Sequence, residues 1–144
     1  MLYVFEAIKN RFHATNAKEL CREIYLVSGE DESKPQRTKP CVTVTNNGSE
    51  LQPTDSVAIE TFDLSFTVFS NKVKADVSGG ILEMVQSFKR AFDEQKLPSA
   101  SFTTGQLVRL SSAQPNLVDG TYQAELRYEL TVCWNADPSL LRYA

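Results

Sequence analysis

Apolar and polar residues alternate without a break from Tyr122 to Trp134. Tyr122, Ala124, Leu126, Tyr128, Leu130, Val132 and Trp134 point to one side; Gln123, Glu125, Arg127, Glu129, Thr131 and Cys133 point to the other. A period of two predicts a β-strand with a dry face and a wet face, about 40 Å long at roughly 3.3 Å per residue. Val57 to Phe69 predicts a second long strand, with Phe62, Leu64, Phe66 and Val68 on one face and Thr61, Asp63, Ser65 and Thr67 on the other. Val57 and Ile59 stand in the opposite phase, which predicts a bulge or bend near Glu60. Between the two strands, Ile81, Val85, Phe88 and Phe92, supported by Met84, form the stripe of an amphipathic helix. Glu83, Gln86, Arg90, Asp93 and Glu94 occupy its wet side, Ser78 is the expected N-cap, and Leu97-Pro98 is the expected stop.

The remaining elements are shorter. Val4, Phe5, Ile8 and Phe12 share one face of a helix from Leu2 to about His13. Asn16 and Glu19 have capping-box spacing for a further short helical turn. Over Arg22–Val27, Leu20 with Ile24 suits a helix, but the alternation of Ile24 and Leu26 favours a short strand. Ser28–Pro40 has no apolar residue except its two prolines and reads as a long loop, mobile in the free subunit or ordered against a partner. Cys41–Thr45 predicts a short β-branched strand, followed by a turn-rich stretch with Asn47-Gly48 and Pro53. A strand from about Gln106 to Ser112 turns back through Pro115 and Asp119-Gly120 into the final strand. Residues Asn135–Ala144 leave that strand through Asp137-Pro138 and still carry Leu140, Leu141 and Tyr143.

No internal repeat is evident. The expectation is a single α+β domain over residues 1–144, a two-layer sandwich. Its sheet would be mainly antiparallel, four-stranded or slightly larger, packed against two helices in the order α-β-β-α-β-β.

Composition adds mostly exclusions. Apolar residues make up 42% and charged residues 23%, as in ordinary globular chains. No apolar run approaches the roughly 20 residues of a membrane span, and no basic segment followed by a hydrophobic core opens the chain. A protein that stays inside the cell that makes it is therefore expected. The net charge of −3 argues against a phosphate-gripping nucleic-acid binder, though an acidic wall would let DNA slide past. Cys21, Cys41 and Cys133 cannot all pair within the chain and lack metal-ligand spacing, so they read as reduced thiols.

Candidate chemistry is sparse. His13, the only histidine, ends the first helix without a nucleophile joined to it by motif. Gly79-Gly80 lacks the lysine and spacing of a phosphate loop and reads as a tight helix start. Glu30-Asp31-Glu32 offers oxygen ligands without EF-hand spacing and reads as a solvated loop. Glu125 and Glu129 flank Arg127 on one strand face, a charged surface ladder rather than an acid/base pair. The inward phase of Tyr122, Tyr128 and Trp134 favours core packing over base stacking. No catalytic group, cofactor or metal ligand emerges, and no enzyme class is expected.

Four stretches together resemble the tail-terminator (tail-completion) proteins of tailed bacteriophages and prophages. They are the apolar helix opening the chain, Lys39-Pro40-Cys41-Val42-Thr43-Val44, the run Glu60–Phe69, and Asp119-Gly120-Thr121-Tyr122 through Val132. The resemblance implies a non-catalytic virion protein of the tail and neck region, assembled in the host cytoplasm. It implies a homo-oligomeric ring, commonly a hexamer, that caps the tail tube and ends its polymerisation. The ring then provides the docking surface for the head connector, with DNA passing through its centre. Implied partners are the tail tube protein, a head completion or connector protein, and a sheath protein where the tail is contractile. No membrane contact and no sequence-specific nucleic-acid binding are implied. The loop residues Glu30, Asp31, Lys34 and Arg37, the strand residues Glu125, Arg127 and Glu129, and the tail residues Leu140, Leu141 and Tyr143 are the expected contacts. The alternative is a non-catalytic small-ligand-binding or accessory α+β domain, with helices and sheet enclosing a pocket.

Overall fold

A computed structural model describes residues 2–15, 23–27, 41–53, 58–70, 80–97, 99, 102–118 and 120–134. The elements run α1 (Leu2–Ala14), β1 (Glu23–Val27), β2 (Cys41–Pro53), β3 (Ala58–Ser70), α2 (Ile81–Phe92), β4 (Phe102–Thr104), β5 (Val108–Ser112), β6 (Asn116–Val118) and β7 (Thr121–Trp134). The expected four-stranded sandwich in α-β-β-α-β-β order is wrong. Among the described residues the chain is mostly sheet: a seven-stranded, mixed, curled half-barrel accompanied by two helices. Its path is β1-β2-β3-β7-β4, with β5 and β6 also pairing along β7, and β1 lies parallel to β2 while the other pairs are antiparallel.

The spine is the β3–β7 pair. It runs in one unbroken register from Ala58 opposite Trp134 to Ser70 opposite Tyr122. The bend expected near Glu60 is therefore absent from β3. Glu60 keeps the phase of the dry face, 4% exposed, between buried Ala58 and Phe62. A carboxylate can stay there because two donors reach it: Trp134 Nε1–H donates to Oε1 at 2.9 Å, and the Ser49 hydroxyl donates to Oε2.

The irregularity sits on the strands either side of the spine. On β2, the register against β3 slips between Asn46 and Gly48, leaving Asn47 as the extra residue. Gly48 takes φ +138°, a conformation that L side chains avoid. Asn47-Gly48 thus makes a bulge inside a 13-residue strand rather than the expected turn.

On the other side, β4, β5 and β6 pair in succession along β7 and slip relative to it. One slip is the bulge at Leu110, between Arg109 and Ser111. The others fall between the short strands, where Gly105 N–H and Ala113 N–H still donate to Thr131 and Glu125 carbonyls, each at 2.9 Å. Pairing continues to Val118 opposite Thr121, so the hairpin closes with two residues, Gly120 at φ +79°, and not through a longer loop. Bulges on both flanks increase local twist, which is what curls a sheet.

The helices cover the dry face. Val4, Ile8 and Phe12 of α1 are fully buried, as the apolar stripe requires, and the Thr15 hydroxyl bonds the Phe12 carbonyl at 3.1 Å to close the helix end. The α2 stripe is buried as expected, but Gly80 occupies its N-cap in extended geometry and supplies no side-chain cap; Ser78 lies outside the described residues. The helix ends at Phe92, ahead of Leu97, because Asp93 N–H caps the Lys89 carbonyl at 2.8 Å and Glu94 turns to φ 59°. From that turn, Glu94 N–H donates to Leu107 O and Leu107 N–H to Gln95 O, both at 2.9 Å. Arg11 Nε–H donates to Ala91 O at 3.0 Å, tying α1 to the same place.

Aromatic contacts join these layers. Phe66 of β3 lies 4.9 Å from Phe88 and 5.8 Å from Phe92, and those two rings stack at 4.4 Å. Tyr128 meets Phe66 edge-on at 5.5 Å. Burying each such ring contributes about 1.5–3 kcal/mol. Trp134 ends β7 with Phe102 at 5.0 Å and Tyr3 at 6.5 Å. The segments Asn16–Glu19, Ser28–Pro40 and Asn135–Ala144 lie outside the described residues.

Replacing Trp134 by Phe strips Glu60 of its indole donor while largely keeping the packing. A loss of about 1.5–3 kcal/mol is expected, the usual range for a bond to a charged group. Adding Glu60→Leu to Trp134→Phe should recover part of that loss, because the buried carboxyl is then gone with its indole donor and the exposed Ser49 hydroxyl can turn to water. Urea midpoints of the two variants check this. Equal stability of Trp134→Phe and the native chain would contradict the bond.

Candidate functional site

The alternation that packs β3 and β7 against the helices leaves their second face without a helix among the described residues. That face is not uniform. On β2 and β3 towards Cys41 it is closed: Cys41, Thr43, Ser65 and Phe69 are 2–7% exposed although they point away from the helices. Along β7 it is bare, with Glu125, Arg127, Glu129 and Thr131 exposed, and the bare area extends to Glu50 near the far end of β2.

Register brings the charged groups of the bare half together. Asp63 lies opposite Glu129, and Ser65 opposite Arg127, so Arg127 reaches Asp63 diagonally across the two strands. Its Nε–H donates to Asp63 Oδ1 at 2.9 Å, and its Nη2 group bonds Oδ2, a bidentate pair. The Arg127 guanidinium holds the Asp63 carboxyl below its ordinary range; partial burial opposes this and the Asn47 amide assists it. Asn47 Nδ2–H donates mainly to Ser65 Oγ at 2.7 Å.

Two bulges raise the rims of this area. Asn47 is the extra residue of β2 beside the Asp63–Leu64 level of β3, and Leu110 is the extra residue of β5 beside the Arg127–Tyr128 level of β7. In the spine Leu64 faces Tyr128, so the two bulges stand at the same height on opposite flanks. Between them lies an open cleft of about 370 Å³, lined by Asn47–Glu50, Thr61, Phe62, Asp63, Leu110 and Glu129.

Other titratable groups point to structure rather than chemistry. Tyr128 is pushed far above the ordinary phenol range, chiefly by burial and also by the Asp93 carboxylate that accepts its hydrogen bond, and Arg109 sits 3.5 Å from that carboxylate. This joins the end of α2 to β7 and β5. His13 is exposed at the end of α1 with its ring 5.6 Å from Phe12. Cys41 is buried and Cys133 is half-buried. Among the described residues, no group of three or more His, Cys, Asp or Glu could hold a metal ion, and no helix is long and apolar enough to cross a membrane.

Of the residues singled out from sequence, Glu125, Arg127 and Glu129 stand together on the bare face. Glu30, Asp31, Lys34 and Arg37, with Leu140, Leu141 and Tyr143, lie outside the described residues. Tyr128 and Trp134 are fully buried, in keeping with core packing. The rims were missed. Asn47-Gly48 carries a turn signature, and Leu110 shows only as an apolar residue on a polar strand, 47% exposed.

No family model matches the sequence, and none of the curated proteins does. Solved structures share the fold. A chain from the virion of native gene transfer agent (GTA) particle aligns at a TM-score of 0.60 with 12% identity, over 89% of this chain and 92% of that one. A second solved structure aligns at a TM-score of 0.50 with 9% identity, over 88% of this chain and 94% of that one. At these identities the likeness is one of fold.

Carbonyl-detected NMR titration isolates the Asp63–Arg127 pair. The pair's contribution is fully present above the ordinary carboxylate pKa of about 3.9 and fades as pH falls through the lowered native value. Arg127→Gln should move the Asp63 midpoint back up. An Asp63 midpoint that Arg127→Gln leaves unmoved would show that the pair does not form.

Proposed function

We propose that this chain is a structural protein of a phage-type virion. The observation that carries the reading is a fold shared over nearly the whole of both chains with a component of a gene transfer agent virion. Fold alone does not dictate function, so the reading draws further support from the molecule's own surface. A sheet face that is partly covered and partly bare supports it, because an open face of this kind suits a subunit that meets others.

The finer reading is a tail terminator: a ring, commonly of six copies, that caps the tail tube, ends its growth and presents a surface to the head connector. Its place would be the tail and neck region of the virion, after assembly in the host cytoplasm. Tube, connector and, in contractile tails, sheath proteins would be its neighbours. The net charge of −3 suits a channel through which DNA slides without being held. The role needs no catalytic step, and none is assigned.

Negative-stain microscopy and native mass spectrometry of the purified protein, alone and with tail tubes, test the reading. Closed rings, free or at tube ends, are expected. Monomers that persist when tubes are present would overturn it.

A further inference from the structure

We infer that the bare half of the open sheet face is a docking site for the basic run Lys34–Lys39 of a second copy of this chain. The inference rests on the ring reading and deepens it by naming both sides of the contact.

The cleft supplies the first side. Glu50 and Glu129 are exposed carboxylates with no cation paired to them among the described residues, while Arg127 is occupied by Asp63. The excess charge of the cleft is therefore negative. Val108 and Leu110, 54% and 47% exposed on β5, add apolar surface at the rim of the same face. Acidic heads beside apolar surface fit long basic side chains, whose methylene stems cover the apolar part while their charges reach the carboxylates.

The sequence supplies the second side. Lys34, Arg37 and Lys39 place three cations in six residues with no acidic residue among them. Spacing is compatible. Glu50 and Glu129 are two strands and two residues apart, about 12 Å; a chain reaches up to about 10 Å over three residues and about 17 Å over five. One run can thus set a cation against each carboxylate.

Topology favours a neighbour's run over the chain's own. Cys41, two residues after Lys39, lies level with Gln123 of β7, whereas Glu50 stands nine residues further along β2 and Glu129 six residues further along β7. That is about 20 Å or more along the strands, against a reach of about 7 Å for two residues. The run of one subunit in the cleft of another is a heterologous contact, the kind that closes into a ring.

Zero-length carbodiimide cross-linking of a mixture of unlabelled and ¹⁵N-labelled full-length protein tests this by mass spectrometry, with rings scored in parallel by native mass spectrometry. Links from Lys34 or Lys39 to Glu50 or Glu129 that join light and heavy peptides are expected. Links confined to single-label pairs would place the run on its own subunit and overturn the inference. Rings without these links would overturn it and leave the ring reading standing; neither rings nor links would overturn both.

Charge reversal gives a second arm, with circular dichroism confirming that each variant folds. Glu50→Lys with Glu129→Lys should weaken association about tenfold or more, as should Lys34→Glu, Arg37→Glu and Lys39→Glu together. Mixing the two variants should restore it. Failure of the mixture to recover association would mean that the two patches do not meet.

Discussion

Every other strand accommodates the β3–β7 pair. All 13 residues of β3 stay in one register against β7, and the side-chain phase of both strands never changes. Because a one-residue slip would exchange the dry and wet faces, this pairing decides which side chains meet the helices and which do not. The cost of keeping it appears elsewhere: β2 bulges at Asn47, and the strands on the far side of β7 bulge or break at each slip. A rigid spine with irregular flanks is how this sheet curls.

The same pairing explains the buried Glu60. An interruption at that position would have turned the carboxylate to water, but it would also have reversed Ala58 and Trp134. The chain instead keeps the phase and satisfies the carboxylate with the Trp134 indole, a partner 74 residues away, and with Ser49. Burying a carboxyl group is tolerable only when its hydrogen-bond partners are fixed in place. Here the aromatic neighbours of Trp134, Phe102 and Tyr3, help to fix one of them.

Much of this was legible in the residues, and the exceptions have a common cause. The phase of β7, the stripes of α1 and α2 and the exposed row Glu125, Arg127 and Glu129 follow from local periodicity. Glu60 reads as a break from the sequence because its compensation is not local. Asn47-Gly48 reads as a turn because the same dipeptide serves turns and bulges, and only the partner strand distinguishes them. β4 and β6, three residues each, are too short to show a period. The Asp63–Arg127 pair and the cleft between Asn47 and Leu110 depend on register, which a single chain's pattern does not state.

The functional reading inherits this geometry: a bare area exists because the spine holds Asp63, Glu125, Arg127, Glu129 and Thr131 outward. Native-state amide hydrogen exchange followed by NMR tests that foundation most directly. The slowest-exchanging amides should be those hydrogen-bonded between β3 and β7, continuously from 58 to 70 and from 122 to 134, with faster exchange at Asn47 and Leu110. A fast-exchanging gap at Glu60 and Thr61, or protection greatest outside this pair, would contradict the account.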